Sequence, residues 1–423
     1  MSNSPISTSA NQGLAIGHFT RVGNPKPNLA NTKQAITLLG VSVSRDEFRD
    51  HIVLGGGSLP PAYQGRLVDR AITWLRHQIL DNYGFDPGDD HVYSAIKGLA
   101  EDGRVNPVTD YLASLTWDGQ QRLSTWLPRI TGAEANELNS MSGTMLIMAM
   151  VIRAFFPGTK YDICVVLEGR QGCGKSSLVT ALSGRDFFTD VPALLAQDAK
   201  QRGELLQGIW VAELAELSGL NRTDVEYVKA LLSQTHDHFR AAYEKVAVRR
   251  PRTCIFVGTT NSSEYLIDTT GNRRFITIKC GPRIDLKAFL LEREQLFAEA
   301  RVGVQRLLAK RPAVLGQPLA SGIALPAHLW PAAKAANENR RLVEHGEEIL
   351  VELLKTRLAD PRLRRQPNGA PFVSTLELLP ELRLQLGHNP SSKALTGWMA
   401  ALGWERARHG RAADQIRGYE KLS

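Results

Sequence analysis

Apolar positions along this chain follow two different spacings. From about residue 31 to 130 they recur every three or four residues. Leu67, Ala71, Leu75 and Ile79 predict one helix, Val92, Ile96 and Leu99 a second, and Val108, Tyr111, Leu112 and Leu115 a third. Asn106-Pro107 opens the third as a cap followed by a first-turn proline. From about 140 to 312 short, near-continuous apolar runs alternate with helical stretches. Ile163–Leu167, Ile209–Ala212, Cys254–Val257 and Phe275–Ile278 read as buried strands of a parallel sheet covered on both faces.

Four segments follow from this. Residues 1–30, rich in Ser, Asn, Gly and Pro, read as a mobile tail, and 31–135 as a helical domain or collar. Residues 136–312 form an α/β domain. A linker rich in Pro, Ala and Gly covers about 311–332, and 333–423 form a last domain. Within that domain Glu347–Leu358, Thr375–Leu386 and Ser391–Leu402 are predicted helices, and Trp404–Lys421 a hairpin, an order that suggests a winged helix. The apolar run Met145–Phe156 is broken by Arg153 and is shorter than the about 20 residues a bilayer needs, so it predicts a buried helix and no membrane partner.

The first predicted strand of the α/β domain runs into Gly169-Arg170-Gln171-Gly172-Cys173-Gly174-Lys175-Ser176, which fits G-x-x-x-x-G-K-[ST]. Such glycines let backbone N–H groups turn toward phosphates, and the helix that follows adds its positive end. Lys175 supplies a cation for the β- and γ-phosphates and Ser176 a hydroxyl for Mg²⁺. Ser177 continues as a helix residue at the edge of the cradle. Cys173 is either a reactive thiol or a small residue that fits. The expected cofactors are ATP and Mg²⁺.

ATP chemistry also needs a carboxylate near the metal and one to polarise water. Glu213 and Glu216 stand at the end of the second apolar strand, Glu213 assigned to the metal and Glu216 to the water, though the roles are interchangeable on sequence alone. Asn261 ends the third strand, where it can orient that water or merely cap a turn. Arg273 and Arg274, between a turn and the fourth strand, suit charge stabilisation in cis or from a neighbouring subunit, or a solvated pair. A finger acting in trans requires a ring or another oligomer.

Composition narrows the picture little. The 423 residues carry Lys+Arg 51 against Asp+Glu 43, net +8, which fits a polyanion partner without requiring one. Cys164, Cys173, Cys254 and Cys280 stand singly, without metal-ligand or disulfide spacing, which favours a reducing cytoplasm.

Taken in order, Trp210–Leu217, Val228-Lys229-Ala230, Asp237–Tyr243, Val257–Asn261 and Gly271–Phe275 resemble the virulence-associated protein E family. Asn106–Leu112 and Trp117-Asp118-Gly119 resemble the start of that family's domain. The resemblance covers roughly residues 90–310. It implies an AAA+-like P-loop core similar to superfamily 3 helicases, assembled as a homo-oligomeric ring and acting on single-stranded or forked DNA in replication of a phage or mobile element. Lys175, Ser176, Glu213, Glu216, Asn261 and Arg273 or Arg274 carry the family's site. Such cores are often joined to a primase. No acidic primase cluster stands upstream here, so primer synthesis is expected in a separate protein.

In superfamily 3 helicases the insert between the acidic and Asn strands is a hairpin reaching into the pore. By resemblance Lys245, Arg249 and Arg250 are the DNA contacts. Asp237 and Arg240, three residues apart, are candidates to pair with each other, and His236 and His238 read as a polar pair. Arg406, Arg408, Arg411 and Arg417 surround the predicted wing, where they either grip duplex phosphates or form a soluble rim. The expected activity is an ATP-driven DNA helicase or translocase. An ATP-controlled initiator or loader without unwinding is the alternative, and a P-loop ATPase unrelated to nucleic acid is a third reading.

Overall fold

A computed structural model of the chain describes residues 16–190, 199–217, 222–239, 248–262, 274–309, 313–338, 345–387, 390–410 and 415–422. Its N-terminal part comprises α1 (Leu29–Leu38), β1 (Ser42–Asp46), β2 (His51–Gly55), β3 (Gly65–Arg66), α2 (Asp69–Tyr83), α3 (Gly88–Asp102) and β4 (Arg104–Val105). The strands form one sheet in the order β3-β2-β1-β4. The all-helical expectation for this region is therefore corrected. Helices α2 and α3 lie where their periodicity predicts them. The sheet escapes sequence reading because β3 and β4 have two residues each and β1 is Ser-Val-Ser-Arg-Asp, too polar for a strand signal.

The expected tail is corrected too. Residues 1–15 lie outside the described residues, but 16–28 pack onto α1. The buried Asn31 amide donates to the carbonyls of His18 (2.6 Å) and Lys26 (2.9 Å), and its Oδ1 accepts from His18 N (3.0 Å). Polar composition here marks a segment held by side-chain amides as well as by the buried Ile16.

Helices α4 (Pro107–Ser114), α5 (Trp126–Thr131) and α6 (Glu137–Phe155) lead into the central sheet. By length and hydropathy α6 alone, among the described residues, is long and apolar enough to cross a membrane, but 72% of that window is buried inside the fold. It is a core helix. Its buried Arg153 donates to the carbonyls of Thr159 (3.0 Å), Tyr161 (3.2 Å) and Cys254. Burial lowers the Arg153 pKa to about 10, so the guanidinium stays charged at neutral pH.

Beyond α6 come β5 (Cys164–Glu168), α7 (Lys175–Ser183), β6 (Phe188–Thr189), α8 (Ala199–Leu205), β7 (Val211–Leu214), α9 (Arg222–Ser233), β8 (His236–Phe239), β9 (Val248–Pro251), β10 (Ile255–Thr260), β11 (Phe275–Lys279) and α10 (Leu286–Ala309). Five strands make a wholly parallel sheet, ordered β11-β5-β10-β7-β6. Val165, Leu167, Val211, Ile255, Val257, Ile276 and Ile278 face a core shared with α6, α7 and α10. Cys164, Val166, Ala212, Leu214, Cys254 and Phe256 face the core under α9. Both faces are thus buried, as the unbroken apolar runs require.

The predicted linker is not free chain along the part described. Leu319 N donates to Thr159 Oγ1 (3.0 Å) and Ile323 N to Lys160 O (2.9 Å), and the chain then forms α11 (Trp330–Glu338). Asn337 of α11 donates to Phe275 O (2.9 Å), so this helix covers the edge of β11. The last domain runs α12 (His345–Ala359), β12 (Phe372–Ser374), α13 (Thr375–Leu386), α14 (Ser392–Ala401), β13 (Trp404–His409) and β14 (Ile416–Lys421). Its antiparallel sheet has the order β12-β14-β13. The predicted helices and hairpin are present, and β12 is an addition.

The N-terminal and central parts meet at the β1–β2 turn. Phe48 packs edge-on against Phe187 (5.5 Å) and the Arg49 guanidinium lies 4.0 Å over that ring. Gln207 donates to the carbonyls of Arg49 (2.7 Å) and Asp50 (3.2 Å). A Cβ on Gly208 would lie 2.8 Å from Arg49 Cα, and Gly208 has φ +72°, so both space and backbone conformation require glycine there.

Candidate functional site

The C-terminal ends of β5, β10 and β7 lie side by side, the place where parallel α/β sheets leave a crevice for ligands. Each strand ends in one candidate segment. Strand β5 opens into the glycine loop, β10 into Asn261, and β7 into Ala215-Glu216. These segments line a cleft of about 320 Å³, with Gln171, Gly172, Gly174, Lys175, Ser176, Ser177, Glu216, Thr259, Thr260 and Asn261 around it.

The loop's conformation depends on its glycines. Gly172 has φ +78° and Gly174 φ +106°, values that L side chains rarely adopt. Gly174 is the residue before α7, so the loop delivers the chain straight into that helix, whose first residues Lys175, Ser176 and Ser177 line the cleft. Cys173 is buried behind the loop, with its sulfur 3.8 Å from Lys175 Nζ, which favours the reading of a small fitting residue. Arg170 is exposed and turns outward, donating from Nε to Pro282 O (3.1 Å).

Lys175 is buried, and its ammonium donates to Gly169 O (2.7 Å), Arg170 O (3.0 Å) and Asn261 Oδ1 (2.7 Å). All three oxygens are neutral, so the positive charge is held without being neutralised by them. Ser176 donates to Glu213 Oε1 (2.7 Å). Glu213 is 1% exposed, and the same Oε1 also accepts from Thr259 Oγ1 (2.7 Å). Sequence reading missed Thr259. The signal available was a pair of hydroxyls, Thr259 and Thr260, ending an apolar strand just before Asn261.

Glu216 differs from Glu213 in every respect. It is exposed and lies in the cleft wall. Among the described residues it and Asp50 are the non-glycine residues with positive φ, at 54° and 51°. An αL glutamate costs on the order of 1–2 kcal/mol, which the surrounding loop must hold in place. A hydroxyl–carboxylate pair beside an ammonium, facing a helix start, can take a polyphosphate together with a divalent cation. Ser176 and Glu213 are the residues to hold such a cation.

Lys175, Ser176, Glu213, Glu216 and Asn261 are thus brought together. Arg274 is not. It precedes β11, whose Phe275 pairs with Cys164 at the start of β5, the opposite end of the sheet from the glycine loop. Five strand residues at about 3.3 Å each put it about 16 Å away. There it lies with Nε 3.7 Å from Asp162. It thus stands apart from its own cleft. Arg273 lies outside the described residues.

The expected DNA contacts separate as well. Strands β8 and β9 do form an antiparallel hairpin, with His238 opposite Arg249. Arg249 is exposed and Lys245 lies outside the described residues. Arg250 is a correction: it is half-buried and ion-paired with Asp50 of the β1–β2 turn, so it braces the N-terminal part instead of facing outward. Asp237 pairs with Arg252, while Arg240 lies outside the described residues.

Site and fold together define an α/β protein whose doubly wound parallel sheet carries a glycine loop, a buried serine–glutamate pair and an asparagine at one edge. Residues 112–310 match the sequence profile of the Virulence-associated protein E-like domain, and the chain carries a domain of that family. The match begins inside α4, so Asn106-Pro107 precedes it.

Among solved structures, the chain is similar to the apo structure of the NrS-1 C terminal region, with 13% identity, a TM-score of 0.50, and coverage of 92% of this chain and 97% of that one. The A form apo structure of the same region gives 12% identity, a TM-score of 0.51 and coverage of 94% and 100%. At such identities the likeness is one of fold, but it takes in the terminal domains as well as the sheet. Glutamate–tRNA ligase of Aquifex aeolicus (strain VF5) is 22% identical over 231 residues, 50% of this chain. The chain spans 44% of that relative's length, and the likeness assigns no activity.

Proposed function

We propose that this chain is an ATP-hydrolysing motor of the AAA+ type that acts as a ring on single-stranded or forked DNA, as a helicase or translocase replicating a phage or mobile element. The reading rests on the convergence of Lys175, Ser176, Glu213 and Asn261 at the ends of three adjacent parallel strands. Residues 169–177 would hold the triphosphate, with Lys175 on its β- and γ-phosphates. Ser176 and Glu213 would hold Mg²⁺, which neutralises charge on the phosphates. Glu216 would polarise the attacking water and Asn261 would orient it. The order of helices and strands in residues 345–422 supports a winged-helix domain. Four free, buried cysteines support a cytoplasmic protein.

The place of Arg274 at the far end of the sheet supports a finger that acts on a neighbouring subunit, and so a ring. Arg274→Ala, or the same change at Arg273, is expected to lower turnover at least about tenfold with ATP affinity little changed. Mixing a finger-deficient subunit with a Lys175-deficient one should restore turnover, and no restoration would count against action in trans. Thr259→Val should lower turnover by about ten- to a hundredfold by freeing the Glu213 carboxylate, with Thr259→Ser restoring it. A titration of Mg²⁺ against turnover reads this, and identical curves for Val and wild type would remove Thr259 from the site.

The decisive experiment is ATP turnover with and without single-stranded DNA, beside a mass measurement of the assembly. Stimulation by DNA supports the motor, and its absence favours an ATPase unrelated to nucleic acid. Displacement of a labelled strand then separates unwinding from an initiator or loader.

A further inference from the structure

We propose that the C-terminal domain carries a second, separate nucleic-acid site. It is a duplex-DNA clamp formed by α14 and the β13–β14 ribbon, with Arg406, Arg408 and Arg417 on backbone phosphates. Arg408 lies directly opposite Arg417, and Arg406, two residues before Arg408, shares its face. On the other face Glu405 lies opposite Glu420. Like charges directly opposed weaken an antiparallel pair, and exchanging one arginine with one glutamate would have stabilised both faces. Instead the ribbon is sorted by sign, basic toward α14 and acidic away from it. Such a ribbon gains from a polyanion on one side and repels it from the other.

Among the described residues of this domain, four carboxylates are engaged elsewhere. Glu377 pairs with Arg364 (3.0 Å) and Arg357, Glu381 with Arg357, Asp360 with Arg362 (3.1 Å) and Glu352 with Lys355 (2.6 Å). Arg406, Arg408 and Arg417 enter none of these pairs. The contacts Arg406 and Arg408 make are with neutral oxygens. Arg406 donates to Thr396 Oγ1 (2.7 Å) and Ser392 Oγ (3.0 Å) on α14, and Arg408 to Gln415 Oε1 (3.4 Å). Thr396 is in turn within 3.0 Å of the Tyr419 hydroxyl. Arg406 is thereby fixed over the first turns of α14, beside exposed Ser392, with its charge intact.

The same surface argues for a duplex over a single strand. Single strands are gripped by exposed rings that stack on bases. Here Phe372, Trp398, Trp404 and Tyr419 are all buried in the domain's own core. What remains outward is hydroxyls and guanidinium groups, the chemistry of phosphate contact.

The test uses the full chain and fluorescence anisotropy with a duplex of about 25 base pairs and a single strand of the same length, across a salt series. In R406Q/R408Q/R417Q the duplex dissociation constant should rise at least tenfold, and the log–log salt slope should flatten by about 2 to 3. Single-strand affinity and unstimulated ATP turnover should stay as in wild type. R408Q/R417Q keeps the Arg406 contacts to α14. It should bind duplex more weakly while melting no lower than wild type, because it removes the opposed charges. Unchanged duplex affinity in both variants, or equal loss of duplex and single strand, would overturn the proposal. A wild type that binds duplex but no nucleotide would refute the motor and leave this site standing.

Discussion

Lys175→Ala is expected to abolish ATP turnover, by at least about a hundred- to a thousandfold, while the protein stays folded. In the structure the Lys175 ammonium is buried, and the oxygens it donates to are neutral: the carbonyls of Gly169 and Arg170 and the amide of Asn261. A triphosphate entering the cleft brings the counter-charge those oxygens lack. Without the ammonium, charge on a bound triphosphate would be met by the helix start and by any cation held at Ser176 and Glu213. Folding should be little affected, since alanine is the best helix former and Lys175 is the first residue of α7. Of the three released acceptors, Asn261 lines the cleft, where water can satisfy it. Circular dichroism and melting should match wild type, and phosphate release should fall to background. Normal turnover in a folded variant would refute the site.

What could be seen beforehand in the sequence was whatever local chemistry determines. The glycine loop is one contiguous segment, and its positive-φ positions need glycine whatever surrounds them. The strands β5, β7, β10 and β11 were visible because burial on both faces leaves runs that are almost wholly apolar. Asn261 and Glu213 stood out as polar residues ending apolar runs. What depended on partners distant in sequence was hidden. Thr259 gains its role only when β10 lies beside β7. Arg274 looked equivalent to Arg273 until the pairing of β11 with β5 put it at the wrong end of the sheet for its own cleft. Arg250 appeared as part of a basic cluster, but Asp50 is 200 positions away in the chain by numbering and meets it only across the domain junction. Asp237 followed the same logic, since its partner Arg252 comes from beyond the hairpin.

That last pair carries the largest expected effect on stability. Arg252 is buried at the base of the β8–β9 hairpin, and each of its guanidinium nitrogens has a partner. Nε donates to Asp237 Oδ2 (3.1 Å), Nη2 to Asp237 Oδ1 and to Gln234 Oε1 (3.0 Å), and Nη1 to Leu231 O (2.5 Å). Burial pulls its pKa down, but the Asp237 hydrogen bond and charge outweigh that, and it ends above the ordinary arginine value. Asp237→Ala therefore leaves a guanidinium that neither deprotonates nor reaches water, at an expected cost of about 3–5 kcal/mol. The melting temperature of the transition that includes the central domain should fall by roughly 10 °C. Replacing both partners, as Asp237→Leu with Arg252→Met, should cost less than Asp237→Ala alone, because no unpaired charge remains. Should the double variant melt lower than the single one, the ion pair would be contributing net stability, and the penalty would not come from a stranded charge. Since Arg252 fastens the hairpin to the end of α9, the single variant should also loosen β8 and β9. Faster amide exchange in those strands than in β5 or β10 would register that loosening independently of the melting curve.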